Sequence, residues 1–374
     1  ALPDRSVAEA LQRVPGVNIG RFKKTTDPDR FSVEGADVII RGLPFVRSEV
    51  NGRDVFSATG GTVLSFNDVS PELLGGVLVY KNSTADMIEG AIAGTVDLFT
   101  RKPLDTDGFK LAGSAEMNWG DIAEESSPTF SFLGSNSWDT ANGSFGLQLG
   151  VAQSELNTRS YASQVTDPCY RDASDFTGSG CIRAADTADA FIGDLNFTPD
   201  NFPPDGTVVV PKGAGVRTTG YERDRKAVSL VGQWENNDGD LLVTAEYLRA
   251  DAELFVDEHA MLALVNDDGL WPQPAGGTDW SFGNNGSFQS GVLSQVAWRG
   301  EDNCAPGSID TPNNPAFVGD RPCLSQVGIP TETLRFQRED ESITEDLSLA
   351  VSWQATDDLT LNFEAQHLDA ERSE

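Results

Sequence analysis

From Phe109 onward apolar and polar residues alternate one for one. Leu111, Ala115, Met117 and Trp119 oppose Lys110, Ser114, Glu116 and Asn118. Phe145, Leu147, Leu149 and Val151 line one face of the next clear run, and Val228, Leu230 and Trp234 line another. Leu241, Val243, Ala245 and Tyr247 repeat the pattern, as do Leu347 to Trp353 and Leu359 to Ala365. A period of two with one apolar and one polar face predicts strands. Seven are expected, at about 109–119, 125–135, 144–161, 217–235, 240–258, 333–354 and 358–374. A β-sandwich with a solvated face gives the same alternation, so the connections must decide. They alternate: Trp138 to Gly143, Glu235 to Gly239 and Ala355 to Asp358 are short polar turns, whereas about 162–220 and 259–332 are long loops. Structureless loops beyond ~15 residues argue against a compact soluble domain and suit the outward end of a membrane β-barrel. Trp138, Trp234 and Trp353 lie at the three short turns, as an aromatic girdle at one rim requires.

The first hundred residues have another texture. Ser6 and Glu9 are spaced as a capping box ahead of Val7, Leu11 and Val14, and Pro15-Gly16 ends that helix. Val17 to Ile19 and Val38 to Ile40 read as short strands. Arg47 to Arg53 reads as a hairpin on an Asn51-Gly52 type I′ turn. Phe56 to Thr62 is a Gly-rich loop, and no Lys-Ser/Thr follows its glycines as a phosphate cradle needs. Ser70, Pro71 and Glu72 predict a capped short helix stopped by Gly75-Gly76. Val77 to Tyr80 then reads as a buried strand, and Ala91 to Thr100 as a second.

These segments carry a resemblance. Leu78-Val79-Tyr80-Lys81, Ala85-Asp86, Glu89-Gly90, Ala93-Gly94-Thr95-Val96 and Thr100-Arg101-Lys102-Pro103 resemble the end of the plug domain of TonB-dependent outer-membrane receptors. Ser6 to Val17, Ile40-Arg41-Gly42-Leu43, Val50-Asn51-Gly52-Arg53 and Phe66 to Glu72 are similar to the same family in the same order. Pro3-Asp4-Arg5 and Asp29-Arg30-Phe31 resemble the large Caulobacter and Xanthomonas type branch, which is associated with carbohydrate uptake. The resemblance implies an α+β plug over residues 1–104, followed over 105–374 by part of an antiparallel transmembrane β-barrel. It implies an outer-membrane location, with loops on the cell surface and the plug facing the periplasm. TonB is the implied partner, through a segment upstream of Ala1, together with outer-membrane lipid, lipopolysaccharide and a small-molecule ligand. No cofactor is implied.

Charge sharpens that division. The 374 residues hold 58 acidic and 27 basic side chains, a net charge of −31. Residues 1–103 hold 13 and 12 of these, so 45 acidic and 15 basic residues lie beyond. A near-neutral piece joined to an acidic one predicts a boundary near Pro103 and disfavours nucleic acid as a partner. No apolar run approaches the ~18 residues of a membrane helix, which says nothing about a barrel. The chain opens at Ala1 without methionine, and its start reads as trimmed. Plugged transporters close with about 22 strands, so seven predict that much of the barrel lies outside this sequence.

The candidate chemistry is sparse. Four cysteines fall in two local pairs, and pairing within each loop gives Cys169–Cys181 and Cys304–Cys323. No C-x-x-C spacing supports a zinc site. His259 and His367 have no partners at ligand spacing, and no catalytic set is readable, so no enzyme activity is expected. Asn236 to Asp240 and Asn266 to Gly269 lack the spacing of a full calcium loop. The second long loop holds Trp271, Trp280, Phe282, Phe288 and Trp298 among Asn, Gly and Gln. Such rings suit stacking on sugar faces, and they equally suit packing the loop against itself. Trp271, Trp280, Phe282 and Trp298, with Phe56 and Arg47 of the first piece, are the candidate ligand contacts. The resulting expectation is TonB-driven uptake of a neutral oligosaccharide. A ferric siderophore is the alternative ligand, and a non-transporting pore or adhesin the alternative class.

Overall fold

The computed structural model describes residues 6–20, 37–56, 58, 66, 69–85, 87, 89–165, 168–174, 181, 205–264, 272–274, 278–295, 327–328 and 331–374. The chain divides into two compact units. One comprises Ala1–Ser160, Gly220–Asp257 and Gln337–Glu374, and the other Tyr161–Thr219 and Glu258–Phe336.

In the first unit, helix α1 (Val7–Leu11) starts at Ser6, whose Oγ accepts the Glu9 amide at 3.2 Å. Its Val7, Ala8 and Leu11 enter an apolar core with Val17, Val38, Ile40, Val46, Val50, Val96 and Leu98. Strands β1 (Val17–Gly20) and β2 (Asp37–Ile40) pair antiparallel. Next come β3 (Val46–Val50), β4 (Arg53–Asp54), β5 (Leu74–Tyr80) and β6 (Gly94–Thr100). They form one sheet in the order β4-β3-β6-β5, with β3 and β6 parallel. Asn51 and Gly52 adopt φ of 53° and 77°, the paired positive values a type I′ turn demands.

Two local expectations fail around Ser70. Pro71–Leu73 forms only a 3-10 turn, and the Ser70 hydroxyl donates to Glu72 Oε2 at 2.5 Å instead of capping the backbone. Gly75 and Gly76 do not stop a helix. They lie inside β5, where Gly75 is the extra residue of a bulge between the Leu74↔Thr100 and Gly76↔Phe99 pairs. A side chain there would press on Arg101, since a Cβ would sit 3.2 Å from its Cγ. The strand is also less buried than its Val-Leu-Val sequence suggests. It is a sheet edge, and Leu78 and Tyr80 face away from the core.

The chain continues as β7 (Lys110–Gly120), β8 (Glu125–Thr140), β9 (Gly143–Val165), β10 (Pro168–Asp172), β11 (Thr207–Pro211), β12 (Gly213–Glu235) and β13 (Leu241–Leu264). It ends with β14 (Gln273–Pro274), β15 (Ser281–Phe282), β16 (Phe288–Ser290), β17 (Leu293–Gln295), β18 (Val327–Gly328), β19 (Thr331–Thr356) and β20 (Leu359–Ser373). Seven of these pair in the order β20-β19-β13-β12-β9-β8-β7, and this sheet shares no strand with that of β3–β6.

Within the first unit the long sheet is inverted relative to a soluble protein. Its outward row exposes Leu111, Met117, Trp119, Phe130, Phe132, Leu147, Leu149, Leu347, Leu349 and Phe363. Its inward row buries Ser127, Gln148, Ser154, Ser229, Gln233, Thr244, Glu246, Thr344 and Asp346. Contiguous apolar exposure on this scale is untenable in water and is the required surface in lipid. Trp138 stacks on Phe145 at 6.3 Å between centroids, Phe145 meets Trp234 at 6.4 Å, and Trp353 is exposed beside the last short turn. The first short turn needs glycine: at Gly143, φ is 124° and a Cβ would lie 2.1 Å from the Glu235 carbonyl oxygen.

The second unit shows that the long connections are not structureless. Strands β9, β12, β13 and β19 extend beyond the expected limits. Strands β10 and β11 pair antiparallel with Cys169 opposite Val210, and a disulfide joins Cys169 to Cys181. Val209 bridges to Ser287 beside the β15–β16 hairpin.

Candidate functional site

The inward row of β13 places a carboxylate, Glu246, among small and hydroxyl side chains beside the apolar run Leu241, Val243, Ala245 and Tyr247. Four donors from the β3–β6 domain converge on it. Asn51 Nδ2 donates at 3.0 Å and Thr100 Oγ1 at 2.9 Å to Oε2, which also receives the Lys102 ammonium. Arg53 Nη2 reaches Oε1 at 3.3 Å. Glu246 and Arg53 are buried, so each needs the other to offset lost hydration. Burial pushes the Lys102 ammonium down from its usual value, against the opposing pull of Glu246.

The donors are pre-set by the domain's own hydrogen bonds. The Asn51 amide donates to Leu98 O at 2.9 Å, and the Thr100 amide to Asn51 Oδ1 at 3.0 Å. Asp97 Oδ1 accepts the Gly52 amide at 3.0 Å. Burial pushes the Asp97 carboxyl up; burial and then the nearby Asp97 push Glu49 up as well.

Just beyond the cluster the connection to β7 is fixed to the wall. Gln148 Nε2 donates to Arg101 O at 2.9 Å, and the Leu104 amide donates to Gln233 Oε1 at 3.1 Å. Pro103 lies over Gly146, where a Cβ would come within 2.8 Å of its ring. Leu73 packs among Ala152, Ala227 and Leu248 of the wall. A charged clasp and an apolar peg therefore hold the domain against the polar face of the sheet.

The structure describes four of the residues expected to contact ligand. Arg47 pairs with Glu49 at 3.2 Å and with Asp54, and donates to Glu89 O at 3.0 Å. Phe56 stands exposed. Trp280 and Phe282 do come together, at 6.4 Å between centroids, with Phe288 edge-on to both. Trp280 is only 8% exposed, donates Nε1 to Val292 O at 3.1 Å and is covered by Gly291, so it packs as a core ring and presents no open face. Trp271, Trp298, Cys304, Cys323 and the Asn266–Gly269 run lie outside the described residues.

Clasp residues Asn51, Arg53, Thr100 and Lys102 fall inside the motifs noted in the sequence, but their partner Glu246 was missed. A readable signal existed: it is a carboxylate in the polar phase of a strand whose other phase is apolar. Each unit also has an open cleft. The first, about 620 Å³, includes Glu155, Glu222, Asp224 and Glu253; the second, about 850 Å³, includes Tyr161, Val216, Met261 and Leu334.

No curated protein matches the chain significantly. Among solved structures, a ferric enterobactin receptor from Pseudomonas aeruginosa is 12% identical, with 98% of this chain and 55% of that one covered and a TM-score of 0.35. A siderophore receptor from Acinetobacter baumannii is 13% identical, with 99% and 55% covered and a TM-score of 0.34. The alcaligin outer-membrane receptor from Bordetella pertussis is 10% identical, with 99% and 53% covered and a TM-score of 0.32. The chain thus spans about half the length of these receptors. Residues 1–95 match the family model for the TonB-dependent receptor plug domain. Residues 1–95 are thus a TonB-dependent receptor plug domain, and a sheet of seven long antiparallel strands follows it.

Proposed function

We propose that the receptor imports a ligand across the outer membrane by TonB-driven displacement of the plug, with residues 1–104 as plug and 105–374 as part of the barrel. The observation that carries this reading is the attachment of plug to wall. Polar donors gathered on Glu246 hold the plug, and no strand of its sheet is shared with the wall, so it can shift without tearing the barrel ladder. TonB acts on the periplasmic side, where the short turns lie, and the long connections face outward. Outer-membrane lipid and lipopolysaccharide cover the apolar outward row.

A neutral, polyhydroxylated ligand such as an oligosaccharide is the finer reading. Its support is the hydroxyl and amide character of the inward row, from Ser127 and Gln148 to Ser342 and Ser348. A specific observation favours an anionic iron chelate instead: Arg217, Arg223 and Arg225 share the inward phase of β12. Uptake by receptor-deleted cells across panels of oligosaccharides and ferric siderophores separates the two. Loss confined to oligosaccharides supports the first, loss confined to iron chelates supports the second, and unchanged uptake of both with intact TonB rejects import.

A further inference from the structure

Asp346, on the inward row of β19, is 4% exposed. Its Oδ2 accepts Gln366 Nε2 at 2.9 Å, while its Oδ1 accepts nothing among the described residues. β19 lies beside β13, where Tyr247 donates to Glu345 at 3.0 Å, and the cross-strand partner of Asp346, Leu368, packs against the plug core, so Asp346 stands at the plug contact level with Glu246. Arg53 is itself incompletely used: Nη2 makes the long 3.3 Å contact to Glu246, and the buried Nε donates to nothing among the described residues. A buried carboxylate oxygen and a buried guanidinium N–H, both without a partner among the described residues at one plug–wall contact, are a costly arrangement that native interiors rarely keep without use. Glu246, by contrast, already receives four plug donors, about the capacity of a carboxylate.

We propose that Asp346 is a second seat for Arg53: the guanidinium rests on Glu246 and passes to Asp346 when the plug shifts. The inference rests on the plug-displacement reading. Its physical basis is that a guanidinium leaving Glu246 inside the wall would otherwise be stranded without a counter-charge, which is the expensive way to break a buried pair. A guanidinium fork suits the transfer, because its separate N–H groups can serve two carboxylates in turn. Among the described residues Thr100, Asn51 and Lys102 show no buried unpartnered donor, so Arg53 is the group handed over.

The test uses the full-length receptor in outer membranes without TonB, with Val55→Cys as reporter. Val55 is buried two residues from Arg53, and its thiol labelling rate reports opening of this end of the plug. Background labelling is subtracted with the receptor lacking the reporter. Asp346→Asn alone is expected to leave the rate within about twofold, because the second seat is empty at rest. Glu246→Gln is expected to raise it a few-fold, because Asp346 takes the guanidinium. The double variant is expected to exceed the product of the two single effects by tenfold or more. A double variant equal to that product, or Asp346→Asn as loose as Glu246→Gln, overturns the proposal. Heat-modifiable gel mobility verifies barrel assembly first; if the double variant fails to assemble, Glu246→Asp replaces Glu246→Gln in the same cycle. Because the readout needs neither ligand nor TonB, a receptor that imports nothing still shows the coupling, and the failure of either reading is recognised separately.

Discussion

The plug and the wall it leans on use the same apolar residues in opposite directions. In the plug, Val46, Val50, Val96 and Leu98 point into a core shared with α1, as in any soluble domain. In the wall, Leu147, Leu149, Leu347 and Leu349 point outward, and the side facing the plug is made of Ser, Thr, Gln and Glu. The difference teaches what an alternating strand encodes. Its period sets which residues share a face, but only the surrounding solvent decides which face is inside. It also explains why the two parts can be separable. An apolar domain docked on an apolar wall would be bound over its whole contact, whereas here apolar packing is confined to local pegs such as Leu73 and Pro103.

Cutting each apolar set in turn gives the largest effects. Leu98→Ala should cost the plug about 2–5 kcal/mol, since Leu98 is fully buried. Protease protection of the plug should fall while the heat-modifiable mobility of the barrel stays unchanged. Leu349→Arg should do the reverse, costing the wall about 2–4 kcal/mol if its site lies near the bilayer midplane. Urea unfolding in bilayers should show a lower midpoint there. Equal damage to both parts by either substitution would mean that plug and wall do not fold as separable layers.

The contact between the two regions should be less sensitive. Gly146→Val places a branched side chain where even a Cβ meets Pro103 at 2.8 Å. Overpacking of this kind costs about 1–3 kcal/mol. The expected result is a loosened plug in an intact wall, read as increased entry of large antibiotics without loss of receptor in the membrane. Wild-type exclusion would show that Pro103 can move aside and that the peg matters less than the Glu246 clasp.

Much of this was legible from residue order. All seven long strands were placed to within a few residues at most ends, because alternation against lipid is strict along Leu347 to Trp353 and Leu359 to Phe363. The plug turn at Asn51-Gly52 was legible because few residues other than Gly and Asn accept its backbone angles. The 3-10 turn at Pro71 was not, since Ser70 fits a helix cap equally well until Glu72 takes its hydroxyl. The clasp escaped for a different reason. Asn51 and Glu246 are 195 residues apart, and nothing local marks one carboxylate among 58 acidic residues as the one the plug will find. Trp280 shows the same limit from the other side: its composition suits a binding face, and only the fold puts Gly291 across it.

The shallowest expected effect is on pH, and it separates the two regions without a substitution. Asp97 and Glu49 face each other across the parallel β3–β6 pair, inside the plug. Burial raises both carboxyls above their unfolded values of about 4, with Asp97 adding to the rise at Glu49. A raised folded value means that the folded plug binds these protons more tightly than the unfolded chain. Stability is therefore highest at mildly acidic pH and declines as pH rises from the unfolded value through the raised one. Hydrogen exchange of the plug amides in the assembled receptor should accordingly slow, after correction for intrinsic rates, as pH is lowered from 7.5 toward the unfolded value of about 4. Asp97→Asn should flatten that slope, because the amide keeps a carbonyl oxygen for the Gly52 amide yet carries no charge to bury. A slope that persists in this variant would place the titrating group elsewhere, and a slope of opposite sign would show that Arg47 and Arg53 outweigh burial at these two carboxylates.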